Sequence, residues 1–372
     1  MNTPQEFGSL LAGLHRLADS GFAQGGGALA TLTQTSGSTF RRAGARMLVC
    51  GDGTVVRGLS GGCPEADIIG RAREVIAEGI ARIVRYDRES GLDALLELGC
   101  GGELEVLIEP LTKARDLDFI DAAADCLAAR RSGVLATVYR RDGAVMNPKP
   151  RRMVIDEGRI VVNEFGAGLI SGVLADLALD RLPITPSVER FTHGGNAYEV
   201  LLEALIPPYA LFIVGINAGA VALARIAAVL GWQVTLVDDR DDRGERVWSG
   251  GLLPDKVRRV TATPQQITEQ LDFDARSFAV VMTHNLGRDI DYLRALGDVP
   301  LAYLGSLGSR QRAARLYAGS GLSAEQLRAP AGLDLGSETP EEIALAISAE
   351  ILAVTSGRAA ESLSQTTGPI HA

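Results

Sequence analysis

The stretch from Leu211 to Arg240 constrains this chain most. Leu211-Phe-Ile-Val-Gly215-Ile-Asn217-Ala-Gly219-Ala220 runs from an apolar strand through a glycine turn into a helix, and Leu236-Val237-Asp238-Asp239-Arg240 then closes a second strand. A strand, a crossover helix and a second parallel strand wind right-handed to pack the helix onto the sheet. In dinucleotide-binding proteins of this layout, the helix N-terminus receives a pyrophosphate and the acid ending the second strand receives ribose hydroxyls. The spacing fits that layout, but Asn217 stands at the second glycine position and Ala220 at the third. A side chain at the second position obstructs close backbone approach to a pyrophosphate. Gly215, Asn217, Asp238, Asp239 and Arg240 are therefore candidate nucleotide contacts on an incomplete glycine fingerprint. Two readings of the segment stay open: an oxidoreductase using NAD(P) or a flavin such as FAD, and a scaffold kept for dimerisation and docking.

Further strands are expected at 278–282 and 301–304, with helices between and after them. Strand and helix alternate, which predicts an α/β, Rossmann-like, doubly wound parallel sheet for the C-terminal half. Ligands bind beyond the carboxyl ends of such strands. Met282-Thr-His284-Asn with Asp289, and Tyr303-Leu-Gly305-Ser-Leu-Gly308-Ser309-Arg310, fall there. The second run offers backbone N–H groups, hydroxyls and a guanidinium suited to a phosphate or carboxylate. His284, Asp289, Gly305, Gly308, Ser309 and Arg310 join the candidates, against the plainer reading of a tight turn followed by an ordinary basic helix.

The N-terminal half reads as mixed α+β. Helical spacing covers 4–19, 64–78 and 116–131, and strands are expected at 28–34, 45–50, 81–86, 103–110, 133–140, 152–156 and 159–162, with a helix and short strands over 163–205. Asp142-Gly143 and Glu157-Gly158 mark hairpin turns. The chain stiffens at Pro207-Pro208, which divides it into domains 1–205 and 206–358, with a flexible tail at 359–372.

Four cysteines in 372 residues, Cys50, Cys63, Cys100 and Cys126, are too few for a disulfide scaffold. Two sit among glycines, in Leu59-Ser60-Gly61-Gly62-Cys63-Pro64-Glu65 and Leu98-Gly99-Cys100-Gly101-Gly102-Glu103. A cysteine opening a helix lies in the positive end of the dipole, which favours thiolate; the alternative is a small apolar residue in a tight turn. Cys50 and Cys126 read as core residues. The cysteines and four histidines form no paired zinc spacing, and no Gly-x-Ser-x-Gly elbow is present. With 37 Lys+Arg against 46 Asp+Glu, the net charge of −9 argues against nucleic acid as a partner. No basic leader precedes an apolar run, and no stretch is long and apolar enough for stable membrane insertion, so a cytoplasmic protein is expected.

Taken together, these pieces resemble the XdhC/CoxI family of xanthine dehydrogenase accessory factors. The marks are Ala30-Thr-Leu-Thr33 with Ser36-Gly-Ser38, Ser60-Gly-Gly-Cys63 with Glu65, Gly99-Cys-Gly-Gly102, Val237-Asp-Asp-Arg240, Thr283-His284 with Asp289, the 303–310 run, and Gly332-Leu-Asp-Leu-Gly336 with Glu338-Thr-Pro-Glu-Glu342. The resemblance implies a maturation factor rather than a turnover enzyme: a homodimer that binds molybdenum cofactor, in its molybdopterin form, as cargo. It would favour the sulfurated form and deliver it to an apo-molybdoenzyme of the xanthine dehydrogenase or CO dehydrogenase type, with a cysteine desulfurase as a further partner. Residues 1–205 would then be the cofactor-binding domain. Ser60, Gly61, Gly62, Cys63, Glu65, Gly99, Cys100, Gly101 and Gly102 would hold the cargo, with Cys63 and Cys100 as the reactive thiols.

Overall fold

A computed structural model of the chain describes residues 4–22, 25–37, 39, 41–59, 63–87, 102–166, 169–179, 186–239, 253–254 and 256–365. Two compact units divide it, Met1–Pro207 and Pro208–Ala372.

The first unit contains α1 (Pro4–Asp19), β1 (Gly27–Ser36), β2 (Arg46–Cys50), β3 (Val55–Val56), α2 (Cys63–Glu78), β4 (Arg82–Tyr86) and β5 (Glu103–Leu111). After these come α3 (Asp118–Ala128), β6 (Gly133–Arg141), β7 (Ala144–Val145), β8 (Arg151–Asp156), β9 (Arg159–Asn163), α4 (Leu169–Leu179), β10 (Ser187–His193) and β11 (Asn196–Leu205). The strands form two antiparallel sheets, ordered β3-β2-β1-β5-β4 and β10-β11-β6-β8-β9, with β7 paired to β6.

Period-2 alternation decides what each face meets. Ala28, Ala30 and Leu32 of β1, with Met47, Val49, Val106 and Ile108, pack on Ile68, Ala72 and Val75 of α2. Their neighbours Leu29, Leu48 and Leu111 turn the other way, joining Leu135, Val154 and Leu205 of the second sheet with α1 and α3 in one core. The far face of the second sheet, including Val134, Ala136, Met153 and Val200, packs against Leu174 of α4. The unit is thus layered as helix, sheet, sheet, helix.

Charges alternate with leucines on the inner faces. Arg46 of β2 donates to both oxygens of Glu203 on β11, at 2.8 and 2.5 Å, with both side chains fully buried. Arg152 of β8 forks onto Glu109 of β5, also buried, and its guanidinium stacks 3.9 Å from the Phe119 ring centre. Glu105 of β5 accepts from Arg140 of β6 at 2.7 Å, Arg85 at 2.9 Å and Thr33 at 2.8 Å. Burial, and then the neighbouring Arg152 charge, push the Arg46 guanidinium down to about 9, which leaves it protonated at neutral pH.

The second unit contains β12 (Ala210–Val214), α5 (Ala218–Val229), β13 (Gln233–Asp238), β14 (Arg258–Thr261), α6 (Ile267–Gln270), β15 (Ser277–Val281), α7 (Leu286–Leu296), β16 (Tyr303–Ser306), α8 (Arg310–Ser320) and α9 (Pro340–Ser356). All five strands are parallel, in the order β14-β13-β12-β15-β16. Helices cover both faces, with α5 and α9 side chains in one core and α7 and α8 side chains in another. This is the doubly wound sheet expected from the strand and helix alternation.

Three details depart from the sequence-based expectation. The helix expected over 116–131 is a 3-10 turn, Ala114–Leu117, followed by α3. Asp116 is not a helix-interior residue, since its carboxylate accepts from the backbone N–H groups of Thr112 and Lys113 at 2.9 and 3.2 Å. The short strands expected after α4 are one long hairpin, β10 with β11. The strand β14 was not expected at all, because Arg258-Arg-Val-Thr261 is an edge strand without a buried stripe.

Candidate functional site

In the second unit, β12 and β15 lie side by side while the chain continues from β12 toward β14 and from β15 toward β16. The carboxyl ends of these two strands therefore form the topological switch point, where ligands enter such sheets. Here the two loops are drawn together. Gly215 has φ +104°, and a Cβ on it would lie 2.7 Å from the Thr283 Cα and 2.8 Å from the Met282 oxygen. Asn217 caps α5: its Oδ1 accepts from the Ala220 N–H at 3.0 Å, and its Nδ2 donates to the Met282 carbonyl at 2.7 Å. That side chain is only 8% exposed. It stands at the fingerprint position where a glycine allows close backbone approach to a pyrophosphate, and it already satisfies one of the helix's leading N–H groups.

The remaining C-terminal candidates cluster at the same sheet end, largely bonded to one another. Asp239 takes an ion pair from Arg288 at 3.0 Å, and Asp238 ends β13. His284 is exposed and sits in the left-handed region at φ 61°. Asp289 is buried, accepting from the Thr283 hydroxyl at 2.5 Å and from Arg312 at 2.6 Å, so it ties the turn after β15 to α8. Ser309 caps α8 by accepting from the Arg312 N–H at 3.2 Å. Gly308, at φ +155°, makes room for the Arg312 side chain. Gly305 is buried within β16, and Arg310 stands exposed at the start of α8. Arg312 was not among the sequence candidates, although it is the residue that neutralises Asp289. Arg240 lies outside the described residues.

In the first unit, Ser60, Gly61, Gly62, Gly99, Cys100 and Gly101 lie outside the described residues. Cys63 is the first residue of α2, and Glu65 falls in its first turn. The Glu65 carboxylate lies against Gly58, close enough that a Cβ there would have to displace it. One turn into the helix, the Asp67 carboxylate accepts from the Tyr86 hydroxyl and from Arg71 Nε, each at 2.7 Å. Burial opposes ionisation of Asp67, but these two donors hold its carboxyl below the usual range. Burial and Asp67 together keep the Tyr86 phenol protonated. Because Tyr86 ends β4 opposite Leu104 of β5, the start of α2 is fixed at the sheet end where β5 begins. Gly102 immediately precedes β5. The two glycine–cysteine segments thus attach to the described fold at one end of one sheet.

Burial disfavours the thiolate at the other two cysteines. Burial raises the Cys50 thiol, which lines a cavity of about 230 Å³ with Arg16, Ser20 and Asp52. Burial, then Asp156, pushes Cys126 up to about 12. Among the described residues, no group of three or more His, Cys, Asp or Glu side chains is placed to hold a metal ion, and no helix is long and apolar enough to cross a membrane.

A second cavity, of about 210 Å³, lies at the sheet end just described and is lined by Gln34, Ser36, Arg85, Asp87, Glu103 and Glu105. Ser36 and Glu103 fall in runs that the sequence singles out, whereas Gln34, Arg85, Asp87 and Glu105 fall in no such run. The signal available was the spacing of Glu103, Glu105 and Glu109 along one strand, which puts all three on one face.

Comparison with known proteins covers most of the chain. The profile described as the XdhC Rossmann domain matches residues 211–351, and that of the XdhC and CoxI family matches residues 23–87. A Bacillus subtilis protein, named as a probable subunit of xanthine dehydrogenase, is 29% identical over 326 residues, spanning 87% of this chain and 92% of the relative. The Escherichia coli protein named molybdenum cofactor insertion chaperone PaoD is 26% identical over 336 residues, spanning 88% and 83%. A crystal structure described as a xanthine dehydrogenase from Bacillus halodurans superposes with a TM-score of 0.73 at 25% identity, covering 96% of this chain and 97% of that one.

Proposed function

The chain belongs to the XdhC and CoxI family, and from that premise we propose that it is a maturation factor that binds molybdenum cofactor as cargo and passes it to a molybdoenzyme. The observation carrying this reading is the match to an insertion chaperone along 88% of the chain. The relative named for xanthine dehydrogenase favours a client of that type.

The geometry of the second unit agrees with a role other than redox turnover on NAD(P) or FAD. Those cofactors gain no support, since Asn217 stands where the glycine fingerprint needs a glycine and its side chain already takes the Ala220 N–H. In the first unit, Cys63 at the N-terminus of α2 sits where a helix dipole favours thiolate. Soft thiolates suit a molybdenum–sulfur centre. We assign cargo contact to Ser60, Gly61, Gly62, Cys63 and Glu65 on one segment and to Gly99, Cys100, Gly101 and Gly102 on the other. The finer parts of the proposal are preference for the sulfurated cofactor, exchange with a cysteine desulfurase, a homodimeric state and a cytoplasmic site of action.

Mass spectrometry of the small molecules released from purified protein tests the reading directly. Wild type is expected to release a molybdopterin species, and Cys63→Ala and Cys100→Ala to release at least tenfold less. Retention in both variants removes the cysteines from the site, whereas no pterin from wild type removes the cargo.

A further inference from the structure

At the end of the first sheet where β5 begins, the three strands β1, β5 and β4 lie adjacent, and their side chains facing away from α2 form two short rows. In the inner row Gln34 stands opposite Glu105, and Glu105 opposite Arg85. In the outer row Ser36 stands opposite Glu103, with its hydroxyl donating to Glu103 Oε2 at 2.9 Å. Asp87 extends that row, one residue past the last paired position, Tyr86 opposite Leu104. Directly opposed residues on one face are close neighbours, so each row presents adjacent polar groups.

The rows differ in exposure. Glu105 is buried and accepts from Thr33, Arg85 and Arg140 together. Gln34 donates to the Tyr139 hydroxyl at 3.2 Å. Glu103, by contrast, is exposed, and with Asp87 and Arg85 it borders the 210 Å³ cavity. The opening therefore offers carboxylate acceptors beside a guanidinium donor.

A 2-amino-4-oxopyrimidine edge has the matching order: an amine N–H, a ring N–H beside it and a carbonyl oxygen beyond. The two donors are spaced to meet the two oxygens of one carboxylate, and the carbonyl then accepts from a neighbouring N–H. Pterins and guanine share this edge; adenine does not. Carboxylates also repel phosphate, so a ligand bearing both groups enters this row with its phosphate directed away.

We infer that Glu103, supported by Asp87 and Arg85, holds the 2-amino-4-oxopyrimidine edge of the cargo, that of its pterin or of a guanine attached to it. This rests on the cargo reading above and adds a recognition element that its cysteines and glycines do not supply.

The test uses the full chain and 6-hydroxymethylpterin as a fluorescent probe, with guanosine and adenosine as competitors. Glu103→Gln is expected to weaken probe binding at least tenfold at an unchanged melting temperature. Asp87→Asn and Arg85→Gln should weaken it less, and Glu103→Asp should keep part of the affinity. Guanosine, which shares the edge, should displace the probe: displacement at comparable concentration assigns the guanine edge, displacement only at higher concentration assigns the pterin, and none overturns the inference. Unchanged binding in Glu103→Gln, or equal displacement by adenosine, overturns the inference. Molybdopterin content measured on the same preparations separates the two proposals. Normal content in a Glu103→Gln protein that binds the probe normally sinks this pocket and spares the cargo reading. Probe binding that depends on Glu103, in a protein that never carries molybdopterin, does the reverse.

Discussion

Single side chains decide whether each half of the chain can do what its outline suggests. Asn217 both caps α5 and spans to the loop after β15, so Asn217→Ala should lose the cap and strand the Met282 carbonyl. Chemical denaturation should register a loss of about 2 kcal/mol. The Arg46–Glu203 pair makes a sharper case. Glu203→Gln leaves a buried guanidinium without its counter-charge and should cost about 3–5 kcal/mol, while Arg46→Met combined with Glu203→Leu should recover most of that loss. If the double variant were no better than the single one, the pair's charge would not be the source of the cost. That a side chain stands at Asn217 where the fingerprint has a glycine is legible from the glycine spacing alone. The Arg46–Glu203 pair was not, because its members are 157 residues apart and each looks like an ordinary polar strand residue.

Elements were legible where one periodicity dominates. The helix at 4–19 and the strand–turn–helix at 211–229 follow from apolar spacing, since each buries a continuous stripe. The start of α3 was misread because Asp116 serves the backbone before the helix rather than the helix itself. The candidate site was legible as two glycine-flanked cysteines, but its neighbouring polar rows need three strands in register, which no local pattern announces. Helix α2 also depends on one tertiary contact near its start, between Tyr86 and Asp67. Tyr86→Phe should lower stability by about 1 kcal/mol and reduce cargo retention if the start of α2 forms part of the site. The anchoring has a pH signature. Asp67 is held below the usual carboxylate range in the folded state, so its contribution is present above the ordinary carboxylate pKa and fades as pH falls through the lower folded value. Denaturation midpoints measured from pH 6 to pH 3 should fall less steeply in Asp67→Asn than in wild type.

At the scale of the whole molecule, each compact unit contains hydrophobic cores drawn from its own strands and helices. Fragments 1–207 and 208–372 should therefore each unfold cooperatively when expressed alone, as read by near-ultraviolet circular dichroism. Molybdopterin should follow fragment 1–207, and its recovery with 208–372 instead would move the cargo site to the second unit. The Arg–Glu pairs between the two sheets of the first unit carry a further consequence. Each arginine has to meet its own glutamate across the sandwich, so a one-residue slip of either sheet would bury several unmatched charges at once. The inner faces thus act as a key and its lock. Hybrids that join one sheet of this protein to the other sheet of a relative should assemble only when the relative carries the same charge at each of these positions.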